Sequence, residues 1–334
     1  MIIGLLIAIA DDDYAEHLSR FLSEKYSDTF AVSVCSSVDR LRDLLTANRY
    51  DTALLEPAFT SAVNLESVHL PLLLTDESEH FADDNSKLKK IRKYQQISSI
   101  AGNVLEYYAE VSNRSSNFGA KKAHIAAVWS PSGGSGKTTV ALAYAAHKAA
   151  NGKNVVYLNL ENFSSTSYYF PDNGKSISRV FGKLESNTQM LLMGIRQQDS
   201  GSGISYFNGP ENYDDINILS VSDIQTLVDA CAAEVDELII DLSSQCDERT
   251  QKVFELSDIV LLVCDQTGVS QKKLKQFIGQ HNVFGRIRAK TVLINNKGAK
   301  ITEESISQTM QLPLVQSNDA VSVYKMLSSG NFNW

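Results

Sequence analysis

The stretch WSPSGGSGKTTV, residues 129–140, constrains the fold more than any other part of the chain. It follows an apolar run, HIAAVW, and leads into the helical pattern KTTVALAYAAHKAA. Small residues let the backbone curl so that successive N–H groups point at one anion. The helix behind them presents the positive end of its dipole to the same place. Strand, glycine-rich turn and helix in this order predict a phosphate-binding loop, and with it an α/β domain built on a mostly parallel sheet. In that reading Gly133, Gly134, Ser135 and Gly136 form the cradle and Lys137 reaches the outer phosphates. Thr138 offers its hydroxyl to Mg2+, and Thr139 meets the inner phosphate. The usual pattern opens with glycine six positions before the lysine. Here that residue is Pro131, which stiffens the entrance.

At 334 residues the chain has room for two domains of ordinary size. The polar segment VSNRSSNFGAKKAH separates them, giving expected boundaries of 1–113, a linker at 114–123, and 124–334. The net charge of −8 resides in the first domain, which holds 10 basic and 18 acidic residues. Residues 264–334 hold 9 basic and 4 acidic residues. That basic end reads first as a solvated helix face and second as a surface that meets an acidic partner or DNA. The apolar start MIIGLLIAIA is too short to span a bilayer and runs into three aspartates, so it reads as a buried strand. Cys35, Cys231, Cys246 and Cys264 are widely spaced, which fits buried reduced thiols rather than a zinc site or a disulfide framework.

Before the linker, strands and helices alternate: IIGLLIAIA, FAVSVC, YDTALLEP and LPLLLTD as strands, with helical patterns between the first three. LKKIRKYQQISSIAGNVLEYYAEV reads as one long closing helix. Such alternation predicts a parallel sheet covered on both faces. This half resembles a response-regulator receiver domain, of flavodoxin-like architecture. The resemblance equates Asp11 with Asp12 (or Asp13) to the receiver's metal-binding acids and Thr75 to its switch hydroxyl. Glu56 stands where the phospho-accepting aspartate belongs, and the receiver lysine has no clear match, Lys89 and Lys90 being only nearby. Glutamate is one methylene longer than aspartate, which changes the in-line geometry. The expectation is an unphosphorylated interaction domain, with a metal on Asp11, Asp12 and Glu56 as the weaker alternative.

After the loop helix come NVVYLNLEN, DELIIDLSS, SDIVLLVCDQT and AKTVLINNKG as strands, then LPLVQSNDAVSVYKMLSSGN. This order resembles the ParA/MinD family of deviant Walker ATPases over about residues 122–330. The resemblance implies ATP and Mg2+ as cofactors. It assigns Asp241 to metal support, Glu161 to placing the attacking water and Asn295 to the adenine. It also assigns residues 315–321, VQSNDAV, to the loop over the base. Asn159 replaces the first acid of the family's Asp-x-Asp.

The family signature is Lys-Gly-Gly-x-Gly-Lys-Thr. Its first lysine reaches across an ATP-bound homodimer, and here that residue is Ser132. Losing one cation from a phosphoryl-transfer site commonly costs on the order of 10³-fold in rate, so binding is expected with slow hydrolysis. Lys175 and Arg196 are candidates to replace the charge. The domain order resembles the TadZ/CpaE group of pilus-assembly proteins. That implies a homodimer formed through the ATPase domain, recruitment of pilus-assembly proteins, and a cytoplasmic place at a cell pole or the inner membrane face through partners. The alternatives are a ParA-like partitioning ATPase that binds DNA as an ATP dimer and, less favoured, a MinD-like membrane ATPase. The latter would want a basic amphipathic C-terminal helix, whereas the chain ends MLSSGNFNW.

Overall fold

The computed structural model describes residues 2–27, 29–60, 64–76, 88–111, 123–172, 174–184, 188–233 and 235–330. The chain divides into two compact units, Met1–Ser116 and Asn117–Trp334. The expected linker lies outside the described residues except for Ala123, which is buried ahead of the first strand of the second unit. Among the described residues no helix is long and apolar enough to cross a membrane.

The first unit contains β1 (Ile3–Ala8), α1 (Asp12–Lys25), β2 (Phe30–Cys35), α2 (Val38–Ala47), β3 (Tyr50–Leu55) and α3 (Pro57–Thr60). It continues with β4 (Val68–Thr75), β5 (Lys89–Arg92) and α4 (Ile97–Val111). Its five strands are all parallel, in the flavodoxin-like order β2-β1-β3-β4-β5. Leu5, Leu6, Ile7 and Ala8 are fully buried, as a strand covered on both faces requires. The N-terminal apolar run is thus a central strand.

One expectation fails here. LKKIRKYQQ does not belong to the last helix: Lys89–Arg92 pair in parallel with Leu72–Thr75, and α4 starts only at Ile97. This is an edge strand in which Ile91 alone is buried. A strand with one apolar side chain among cations carries no period-two signal. The misreading also hid the lysine. Lys93, directly after β5, places Nζ 2.7 Å from Glu56 Oε1. Glu56 Oε2 accepts the Ala10 N–H at 2.8 Å, and Tyr14 Oη donates to the Lys93 carbonyl at 2.6 Å. Lys93 also lies over the Tyr14 and Tyr94 rings. Both Glu56 oxygens are therefore engaged, and Asp11 caps α1 by accepting the Tyr14 N–H. The metal reading for Asp11, Asp12 and Glu56 is corrected accordingly: a cation would have to displace Lys93. Among the described residues no cluster of three metal-ligating side chains occurs.

The Glu56 and Lys93 side chains are only 14% and 8% exposed, so the pair is largely cut off from water. Burial works against the charged lysine, whereas Glu56 supports it, and the balance raises its pKa. Glu56→Gln leaves Lys93 without its counterion. Faster hydrogen exchange at the β1 and β3 amides is expected, equivalent to about 2 kcal/mol of local stability. Adding Lys93→Met should restore much of it, because removing both partners costs less than removing one.

The second unit begins with β6 (His124–Trp129), α5 (Lys137–Ala150) and β7 (Val155–Leu160). The region between Glu161 and the next long strand holds α6 (Thr166–Tyr169), α7 (Ser178–Phe181), α8 (Thr188–Ile195), β8 (Gln197–Gln198), β9 (Ser205–Tyr206) and α9 (Val221–Ala232). Then follow β10 (Glu237–Leu242), α10 (Glu248–Leu256), β11 (Ile259–Cys264), α11 (Gly268–Ile278), α12 (His281–Ile287), β12 (Thr291–Asn295), β13 (Gln308–Gln311) and α13 (Ala320–Ser328). The sheet order is β13-β12-β11-β6-β10-β7-β9-β8, parallel except for the β8–β9 pair. β6 is central and α5 is buried from Val140 through Ala146, which fixes the loop between them at the carboxyl edge of the sheet. Chain order diverges on either side of β6, so the loop faces the crevice where α/β sheets bind ligands. Cys35, Cys231 and Cys264 are buried; Cys246 is exposed, contrary to the expectation of four buried thiols.

At the opposite, amino edge, His124 Nδ1 lies 3.0 Å from Glu237 Oε2. The hydrogen bond to Glu237 is the main cause raising the His124 pKa above 6.5. A raised pKa stabilises the fold below the unfolded value and loses that contribution as pH climbs through the folded one. The second unit should therefore lose stability between about pH 6 and pH 8, by less than about 1 kcal/mol because His124 is 43% exposed and screened. His124→Gln should flatten that slope in melting curves taken at both pH values.

Candidate functional site

The loop from Ser130 to Gly136 has the curl its composition predicts. Gly134 and Gly136 adopt φ of 74° and 92°, the left-handed region open to glycine. A Cβ on Gly136 would come within 2.4 Å of Asn296 Nδ2, so this position admits only hydrogen. Gly136 caps α5 without any side-chain acceptor, which leaves the first amides of a 14-residue helix facing the loop. Ser135 is fully buried, and its hydroxyl has no hydrogen-bond partner.

Three of the expected catalytic residues converge. Lys137 Nζ lies 3.7 Å from Glu161 Oε1 and donates to Ser244 Oγ at 3.2 Å. Lys137 is 7% exposed and Asp241 is fully buried. β10 lies between β6 and β7, with Asp241 opposite both Val128 and Asn159. This register aims Asp241 at the start of α5. Burial pushes its carboxyl up, to about 7, and nearby Glu161 adds to the shift; Thr138, Tyr157 and Lys137 pull it back. Asp241 Oδ2 accepts from Tyr157, whereas Oδ1 is buried without a partner. Burial also pushes the Tyr157 phenol well up, so it stays protonated and donates. Thr139 lies beside Tyr169.

These residues pass the test for a Mg-nucleotide. The helix amides are unclaimed by side chains, a lysine is in place, and Ser135 Oγ and Asp241 Oδ1 are two buried polar atoms short of partners. Thr138 and Asp241 together would hold the metal and the loop would hold the phosphates.

Asn295, expected at the adenine, ends β12, and its Oδ1 is buried without a hydrogen-bond partner. It is fully buried and gives its amide to the Ile301 carbonyl at 2.8 Å. The next two residues meet the loop instead. Asn296 Nδ2 donates to the Ser135 carbonyl at 2.9 Å, and Lys297 Nζ donates to the Gly134 carbonyl at 2.6 Å. Lys297 has φ of 54°, held in the left-handed region next to Gly298 at 75°. Strand alternation could have found this: Asn295 ends β12 inside the sheet, so its successor is the first residue free to turn out. Alongside runs the segment expected over the base. Leu312, just ahead of it, donates its N–H to the Asn295 carbonyl, and within it Asp319 caps α13 and accepts from Tyr168 Oη at 3.3 Å.

Ser132 is 6% exposed; its N–H donates to Ser130 Oγ and its hydroxyl lies 3.4 Å from the Gly133 carbonyl. Arg196 lines a small cavity with Val156 and Cys231, toward the amino end of β7 and away from the loop. Lys175 adjoins the Ser176–Asn208 bridge. Lys297 does touch the loop from outside it.

No family model matches the chain, and no curated protein matches it by sequence. Solved structures do match. The ParA family ATPase of Chlorobium tepidum is 17% identical, with 63% of this chain and 94% of that chain covered and a TM-score of 0.53. MinD of Pyrococcus horikoshii, complexed with Mg-ADP, is 12% identical over 62% and 94%, with a TM-score of 0.46. A plasmid partition protein of Borrelia burgdorferi is 14% identical over 62% and 97%, with a TM-score of 0.47. At these identities the likeness is one of fold, and the first of the three carries it. The chain contains a domain with the fold of the ParA-type P-loop ATPases.

Proposed function

We propose that the second unit binds Mg-ATP, forms a homodimer with it, and acts as a localisation or assembly factor for tight-adherence pilus machinery, with slow hydrolysis. The observation that carries the nucleotide reading is the convergence of Lys137, Glu161 and Asp241 on a loop whose helix amides are unclaimed by side chains. Bound Mg2+ would neutralise phosphate charge. In this reading Lys137 orients the outer phosphates, Glu161 holds the attacking water, and Asn296 with Lys297 braces the loop on the side where the base would lie. Asn295 supports that turn from below. Ser132 has no charge to offer a partner copy, which favours a long-lived ATP state over a fast cycle. The pilus assignment rests on the order of the two units, a receiver-like sheet before an ATPase sheet, and is an argument from analogy. The first unit then serves as a contact domain whose charge arrangement, Glu56 on Lys93, is fixed without phosphorylation.

A partitioning role is the second reading. It is favoured by Lys272, Lys273 and Lys275, all exposed on α11, which has no acidic residue. Salt-sensitive retention on DNA in ATP would support it. The deciding experiment is the solution mass with and without Mg-ATP, with phosphate release followed in the same sample. A stable dimer with little release supports the assembly factor. A dimer that releases phosphate and dissociates supports the partitioning ATPase. A monomer under all conditions refutes both.

A further inference from the structure

The sequence Tyr157-Leu158-Asn159-Leu160-Glu161 places Tyr157 and Asn159 on one face of β7. Parallel register sets Asn159 directly opposite Asp241, with Tyr157 two residues back opposite Ile239. Tyrosine is long enough to make up that distance. Its Oη donates to Asp241 Oδ2 at 2.9 Å. Asn159 Nδ2 lies 3.3 Å from the same oxygen and 3.1 Å from Tyr157 Oη. The other end of the amide, Asn159 Oδ1, accepts the Glu161 N–H at 3.1 Å. Tyr157, Asn159 and Asp241 are 1%, 5% and 0% exposed, so water does not compete for these bonds.

The arrangement is one-sided. Asp241 Oδ2 has two donors, whereas Oδ1 is buried with none. An aspartate at 159 would offer Asp241 no donor and would set two buried carboxylates against each other across the strand pair. The amide removes that conflict and also ties the Asp241 carboxylate to the backbone that carries Glu161.

We infer that Tyr157 and Asn159 are positioning residues for the metal. They fix the Asp241 carboxylate through Oδ2 and leave Oδ1 as the acceptor for the hydrated Mg2+ that Thr138 helps to hold. This rests on the reading of the loop as a Mg-nucleotide site. Mg2+ keeps several of its waters, so a carboxylate that serves it must present an oriented oxygen. Partners that orient such a group commonly affect metal affinity by about 10–100-fold.

The test uses the full chain and a fluorescent ATP analogue, with binding titrated against Mg2+ and measured again in EDTA. Tyr157→Phe deletes one hydroxyl and keeps the ring against Phe170, whose centroid is 6.2 Å away. Asn159→Ala deletes the second donor. In each variant the Mg2+ concentration for half-maximal binding should rise about tenfold, while binding in EDTA changes less than about twofold. An unchanged Mg2+ midpoint in both variants overturns the inference. So does an equal loss with and without Mg2+, which would mark a purely structural role. If Tyr157→Phe melts early, Asn159→Ala carries the test alone. Wild-type protein that binds no nucleotide at all would overturn the Mg-nucleotide reading and this inference with it; Mg2+-dependent wild-type binding with unaltered variants overturns only the inference.

Discussion

Lys137→Ala should lower the affinity for Mg-ATP by about 30-fold to several thousandfold in calorimetric titration. Truncating one partner of a buried, hydrogen-bonded charge pair costs about 2–5 kcal/mol, and a phosphate chain presents more than one charge to this lysine. Lys137 is the only cationic side chain within the loop and α5's first turn, and it is nearly buried. Its ammonium lies 3.7 Å from Glu161 Oε1 and donates to Ser244 Oγ. Binding therefore exchanges one carboxylate partner for several phosphate oxygens, and the exchange is favourable only while the lysine is present. The substitution also leaves Glu161 and buried Asp241 without their nearest cation, so some loss of thermal stability should accompany it. Affinity within threefold of wild type, in a variant that still melts cooperatively, would refute the assignment of the loop.

The loop was legible because its chemistry depends on backbone curl, and only glycine and small residues at fixed spacing provide that. The central strands were legible too, since Leu5–Ile9, Val155–Leu158 and Leu238–Ile240 are apolar runs of strand length. Where local pattern is weak, the reading failed. β5 has one buried side chain and depends on pairing with β4, which is a long-range fact. Glu56 was singled out from sequence, but its partner Lys93 lies two strands away across the sheet. Asn296, which meets the loop, gave no signal beside its neighbour of the same type, because only the exit of the chain from β12 turns it outward. Tyr157 gave no signal at all: an aromatic residue in an apolar strand reads as core, and its hydroxyl gains a role only through the register that brings Asp241 alongside.

Ser132→Lys should raise phosphate release, on the order of 10³-fold if the missing charge is what limits the rate. The serine is tucked into its own loop, tied to Ser130 and close to the Gly133 carbonyl. A lysine cannot stay in that space and must leave past exposed Gly133 and Gly134, toward the mouth of the site. Its charge would then be available to the phosphates of a second copy, so the gain should appear only at concentrations where dimer forms. That dependence separates a restored cation in trans from a general loosening of the loop, which would act in the monomer as well. Lys297 sharpens the comparison, because it already brings one ammonium to the Gly134 carbonyl. If turnover stays flat in Ser132→Lys while the dimer persists, the limiting step lies in the Lys137–Glu161 contact, which engages the carboxylate that would hold the attacking water.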